Sequence, residues 1–272
     1  MKKNFKIILI AITILLVTVL LYFVILHPLV KTYLMTTAVY EEFGGNRDIG
    51  LPITEYDYGS VTDDSLVMTD FGAFTLGIPS DWEDQTKEDS DFIIYHTIGT
   101  VTESGAADNG EGMSFHPAGS DNSDLVILDN EEAGFSAREM RHLEKGYEKL
   151  GYGMPDNAYN ALKCAYSITP EDYSFLKYDE SLAYAYILAY RAGSLYYSNG
   201  NTDKTYYYET DDKCVLICEK YRPDLDGKYH FIMEFYDTDD LNTGYTFSMT
   251  VDDKETGYAI INSLQFNHNL YE

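Results

Sequence analysis

The sequence predicts an α+β domain, an antiparallel sheet with flanking helices, carried on one N-terminal transmembrane helix. Three observations predict it. Residues 7–26 form an apolar run broken only by Thr13 and Thr18. Four Tyr-, Phe- and Ile-rich segments near the C-terminus are divided by short acidic turns, the pattern of consecutive hairpins. Helical segments with capping signals interleave with the strand segments.

Twenty apolar residues at about 1.5 Å each span about 30 Å, the hydrocarbon thickness of a bilayer. Lys2, Lys3 and Lys6 precede the run, and Lys31, Glu41 and Glu42 follow it. The positive-inside bias therefore places residues 1–6 in the cytoplasm and the remainder outside. A cleaved signal peptide has a shorter apolar region and a small-residue site directly behind it. Here Leu26-His27-Pro28-Leu29 follows instead, and no Cys occurs before Cys164 to carry a lipid. The reading is an uncleaved signal anchor at residues 7–26, a stalk and linker at 27–64, and an extracytoplasmic domain at 65–272.

The stalk opens at Pro28, continues as helix from Val30 to Phe43 and stops at Gly44-Gly45. Asn46–Asp64, rich in Gly, Pro, Asp, Ser and Thr, reads as linker. Strands are expected at Phe71–Pro79, Phe92–Ile98 and Leu125–Leu128, then at Thr205–Tyr208, Cys214–Tyr221, Lys228–Tyr236 and Gly244–Val251. Ser136 and Glu139 have capping-box spacing, with Phe135 placed to staple Met140. Met140, Leu143, Tyr147 and Leu150 then form a helical stripe ended by Gly151 or Gly153. Ser181–Leu195 reads as helix through its alanines, after a short helix opened by Thr169-Pro170-Glu171. A last helix starts at Asp252 or Asp253 and buries Ile260, Ile261 and Leu264.

Phe74-Thr75-Leu76-Gly77-Ile78-Pro79-Ser80-Asp81-Trp82 resembles the opening strand of PsbP-like domains, an aromatic-apolar strand running into Pro-x-x-Trp. Ala259-Ile260-Ile261-Asn262-Ser263-Leu264-Gln265-Phe266 is similar to that family's closing helix. The resemblance implies an α/β/α sandwich and a binding or assembly role in the cell envelope. The matched residues are core motifs, so no functional residue is carried over, and Pro79 and Trp82 are expected to end a strand and fill a core. Ala161–Thr202 departs from the small family members as an inserted helical pair.

The net charge is −26, and residues 1–31 hold four of the 19 basic residues and no acid, so the remainder carries −30. That balance argues against nucleic acid as partner and predicts repulsion from anionic membrane surfaces. Phosphate-loop, dinucleotide, zinc-protease and nucleophile-elbow motifs are missing. Ser174-Phe175-Leu176-Lys177 and Ser120-Asp121-Asn122 match fragments of a serine acyl-enzyme signature in the wrong order. Glu139-x-x-His142 is one copy of a spacing that di-iron bundles need twice. His96, His116, His230 and His268 lack ligand spacing.

The turns at Asp108–Glu111, Asp224–Gly227 and Asp237–Asn242 are oxygen-rich, and calcium is the one cofactor they could take, although none fits an EF-hand loop. Cys214 and Cys218 lie about 13 Å apart along one strand and cannot pair. Either one bridges to Cys164, or all three are buried thiols, the reading favoured here. Of the 26 tyrosines, the group Tyr184, Tyr186, Tyr190, Tyr196, Tyr197, Tyr206, Tyr207 and Tyr208 serves either a binding surface or a sheet–helix core, and core is the expectation. The function expected is a membrane-anchored extracytoplasmic binding or assembly module for a cell-envelope or membrane protein, with no catalytic, cofactor-binding or metal residue assigned. The alternative is a cell-envelope hydrolase whose site is assembled from distant residues.

Overall fold

The computed structural model describes residues 2–27, 29–31, 33–34, 37, 53–88, 90–97, 110–121, 136–169, 172, 177–193 and 202–267. Helix α1 (Lys2–Leu21) passes into a π-helical turn at Tyr22–Leu26. The helical stretch Ile10–Lys31 is long and apolar enough to cross a membrane, and its most apolar window is wholly unburied.

Twelve strands follow among the described residues: β1 (Thr54–Glu55), β2 (Val67–Asp70), β3 (Phe74–Ile78), β4 (Trp82–Asp84), β5 (Ile93–Thr97), β6 (Gly112–Phe115), β7 (Ser120–Asp121), β8 (Lys204–Glu209), β9 (Lys213–Arg222), β10 (Lys228–Asp237), β11 (Asp240–Val251) and β12 (Gln265–Phe266). The helices are α2 (Ala137–Leu150), α3 (Ala158–Ser167), α4 (Tyr178–Gly193) and α5 (Lys254–Asn262). The large sheet runs β1-β8-β9-β10-β11-β6-β5-β4, with β7 on β11, and a small sheet runs β12-β3-β2.

The architecture is α+β as expected, but the large sheet is mixed, because β1 joins β8 in parallel. The strands β8 to β11 form antiparallel hairpins, as their alternation predicts. Residues alternate between two covered faces. Val215, Ile217, Phe231, Met233, Phe235, Phe247 and Met249 point into one core, shared with Phe74 and Leu76 of the small sheet and Ile260 and Ile261 of α5. Cys214, Leu216, Cys218 and Tyr236 point the other way, against Ala158, Tyr159 and Leu162 of α3. A third cluster joins α2, α3 and α4 through Leu143, Tyr147, Cys164, Leu182 and Ile187. Trp82, 6% exposed, fills the first core.

Local chemistry sets the ends of the elements. The Ser136 side chain accepts from the Glu139 N–H, and Glu139 accepts from the Ser136 N–H, so the capping box forms. Gly151 ends α2 in the left-handed conformation, at φ 89°. Asp253 caps α5 by accepting from the Glu255 and Thr256 N–H groups.

Two expectations are corrected. The domain begins before Ser65: Thr54 and Glu55 pair with β8, and Tyr56 is buried with its ring 5.4 Å from that of Tyr258. A two-residue edge strand has no periodicity to read, and its neighbours look like linker. The closing helix does not reach Phe266. The Ser263 hydroxyl turns back to the Ile260 carbonyl and accepts from the Gly77 N–H, and Gln265–Phe266 then pairs with β3. The helix before α4 is described only at Asp172, whose carboxylate accepts from the Thr169 N–H. Leu125–Leu128, Gly44-Gly45, Phe135 and most of the stalk lie outside the described residues.

Gly146 of α2 sits where α2 crosses α4. A Cβ there would stand 2.1 Å from the Asp179 carbonyl oxygen and 2.7 Å from the Ala183 Cβ. Helix propensity alone would make Gly146→Ala stabilising by about 1 kcal/mol. The rigid backbone contact dominates, so the variant is expected to lose about 1–3 kcal/mol in urea unfolding. A gain in stability would show that the two helices separate without cost.

Candidate functional site

The hairpin joining β10 to β11 closes at Asp237 and Asp240 with a register shift. The Asp237 Oδ1 accepts from the Asp239 N–H at 2.9 Å. The Asp240 Oδ1 accepts from the N–H groups of Asn242 at 3.0 Å and Thr243 at 3.2 Å. Hydrogen bonds from Thr243 and the backbone hold the Asp240 carboxyl below its ordinary pKa. These hydrogen bonds fix the Asp240 carboxylate within the turn.

Beneath it lies a cavity of about 540 Å³, lined by Asp237, Asp239, Asp240, Tyr245, Phe266 and Asn267 among others. The floor is aromatic. Tyr245 stacks on Phe235 at 5.3 Å, and Phe266 lies 6.0 Å from Tyr245. The Asn267 amide donates to Asp70 at 2.9 Å and to the Gly72 carbonyl at 2.8 Å, which fixes that wall. A carboxylate rim beside aromatic rings has the chemistry to take an organic cation, the charge meeting its head and the rings its alkyl stem. Sequence reasoning found the acidic turn but missed Phe266, which only the β12–β3 pairing brings beneath it.

The other sequence candidates disperse. Lys177 pairs with Glu180 at 3.2 Å, and Ser174 and Asn122 lie outside the described residues. The Ser120 hydroxyl donates to the Gly244 carbonyl at 3.5 Å. Glu139 serves the α2 cap, and His142 reaches Asp179 at 2.7 Å, so both are explained by structure. Burial raises the Asp179 pKa, but hydrogen bonds from Lys149 and His142 outweigh it and hold the carboxyl low.

Of the acidic turns, Asp224 is held at a pKa of about 2 by its hydrogen bonds from Arg222. Asp108 and Asn109 lie outside the described residues, while Glu111 accepts from the Asp252 N–H at 2.6 Å. Among the described residues no three His, Cys, Asp or Glu converge for a metal. The three cysteines are free and buried, with burial raising Cys164 to about 12, Cys214 to about 11 and Cys218 to about 12. These thiols are packing groups. Tyr184 and Tyr208 are buried, Tyr186, Tyr190, Tyr206 and Tyr207 half-buried, and all six line the three cores.

Two histidines lie in one cross-sheet row, His96–Gly112–Thr250–His230. The His96 ring covers Gly112 so closely that a Cβ there would stand 1.9 Å from its Nδ1. Burial lowers its pKa, partly opposed by the Glu111 backbone. His230 bonds Thr250 at 3.1 Å, and burial, with Arg222 and Lys220 nearby, lowers its pKa to about 4. The unfolded state, with a His pKa of about 6.5, binds a proton that the fold excludes, so stability falls as pH drops from about 6.5 towards 4. Carboxylates titrate in the same range, so a comparison isolates the ring. Between pH 6.5 and 5, His230→Asn should lose about 1–2 kcal/mol less than the unsubstituted protein in urea unfolding. Equal losses would show that His230 titrates freely. In melts at matched ionic strength, calcium and sodium chloride should stabilise the protein equally. A saturable rise with calcium alone would make the acidic turns a metal site.

Compared with known proteins, the chain matches no family model and no curated sequence.

Proposed function

We propose that the protein is a membrane-anchored extracytoplasmic binding module that engages a cationic segment of a cell-envelope protein. The observation that carries this reading is the acidic, aromatic-floored cleft at Asp237, Asp239 and Asp240. Its anchor is the helix through Ile10–Lys31, with the basic N-terminal flank in the cytoplasm. The PsbP-like resemblance belongs to the same proposal, and two features support it. The Phe74–Ile78 strand leads through Pro79 to the buried Trp82, and α5 packs Ile260 and Ile261 into the same core. The reading assigns recognition rather than bond-breaking to the outer domain, and it assigns no cofactor.

The cleft is tested on the full chain in detergent with an arginine-rich peptide as probe. Asp237→Asn, Asp239→Asn and Asp240→Asn together should weaken the peptide about tenfold. A control removes the same charge elsewhere, by Glu83→Gln, Glu88→Gln and Asp226→Asn, and should have little effect. Equal weakening by both sets would mean that overall charge attracts the peptide and that the cleft does not recognise it.

A further inference from the structure

Lys228 and Asp252 stand opposite each other, one place beyond Tyr229 and Val251, the last registered pair of β10 and β11. The Lys228 Nζ contacts the Asp252 Oδ1, and the lysine side chain is 10% exposed. Glu111 approaches from the other side of β11, directly before β6. Its Oε1 accepts from the Asp252 N–H at 2.6 Å. An enclosed amine, a carboxyl touching it and a second carboxyl fixed to the backbone of the first are thus gathered at one corner of the sheet. Lys213 is also buried and ion-paired, but it directs its Nζ to the Leu264 carbonyl and to its chain neighbour Asp212.

Enclosing an ammonium is costly even when it is paired. Condensation with its partner removes both charges at once. An amine and an acid held in contact by paired strands react as neighbours, for which effective concentrations reach about 10⁵–10⁸ M. Burial raises the Glu111 carboxyl above its ordinary range, and the charges of Asp252 and Asp81 add to this, against the Asp252 N–H and Lys228. A carboxyl so placed exchanges protons more readily near neutrality. The Asp252 side chain is 67% exposed, which gives a departing water its exit.

We propose that Lys228 and Asp252 join through an intramolecular amide, with Glu111 as the proton carrier. The Lys228 Nζ bonds to the Asp252 Cγ, and one Cγ–O bond of that carboxylate breaks. The ammonium gives up two protons, which Glu111 carries to the departing oxygen, and the oxygen leaves as water. One ammonium and one carboxylate become one neutral amide and one water, and no oxidant or cofactor is needed. The bond closes the open end of the β10–β11 hairpin, whose other end is the acidic turn at Asp237 and Asp240. The three cysteines are free thiols, so this staple is made without sulfur.

The test is the intact mass of the full chain, purified in detergent and then denatured. The mass should lie one water below that of the sequence, and digestion should yield a branched peptide joining the Lys228 and Asp252 segments. Lys228→Arg keeps the ion pair without a primary amine and should carry the full sequence mass. Glu111→Gln should carry it too. Lys254→Gln, a neighbouring exposed lysine, should keep the deficit. Far-UV circular dichroism matching that of the unsubstituted protein shows that a variant is folded, and Lys228→Arg decides the matter alone where Glu111→Gln is not. Full sequence mass in the unsubstituted chain, a deficit that persists in Lys228→Arg, or a branched peptide that excludes either residue overturns the proposal. A deficit that persists in folded Glu111→Gln overturns the part given to Glu111.

Discussion

The structure depends on one strand being covered on both faces. Seven consecutive residues of β9, Lys213–Glu219, are buried. A strand covered on one side needs one layer, but a strand covered on both commits the chain to two. Val215 and Ile217 require the small sheet and α5, while Cys214, Leu216 and Cys218 require α3. Each large apolar side chain so enclosed contributes about 1.5–3 kcal/mol. The polar residues at the ends of the run are satisfied in place. Lys213 donates to the Leu264 carbonyl at 2.9 Å, and Glu219 accepts from the Tyr258 hydroxyl. Both partners lie on or beside α5, so the two ends of β9 also position the last helix.

This double burial explains residues that invited chemical readings. Cysteine serves on the α3 face of β9 because it is small and apolar. Tyrosine serves where a ring body is buried at the edge of a core and its hydroxyl reaches a polar partner. The Tyr159 hydroxyl donates to Glu209 at 2.9 Å, at the edge of the α3 cluster.

Much of this was legible in the sequence, for physical reasons. Strands β8 to β11 alternate over six to twelve residues, and α2 states both its cap and its stop. The short strands were not legible, because two to four residues carry no period and their pairing is decided by distant partners. Strand β1 was hidden in a linker-like composition, and β12 in the tail of an apparent helix. The cleft was half legible for the same reason. Its rim is a contiguous acidic turn, whereas its floor joins Tyr245 to Phe266 through tertiary structure.

The pairing of β3 with β12 has a consequence for how the chain comes to be folded. Phe74 lies opposite Phe266, and β1 waits for β8, some 150 residues further along. Early segments thus find their partners only in late ones, and closing such long loops carries a rising entropic cost. A polypeptide emerging from its N-terminus first cannot complete the β1 edge until Tyr207 has appeared, nor the β3 edge until Phe266. Until then the apolar faces of β3 and β9 stand uncovered, and three unoxidised thiols are open to solvent. The acidic composition, a hindrance to the finished domain, is then an asset, because mutual repulsion keeps waiting chains apart.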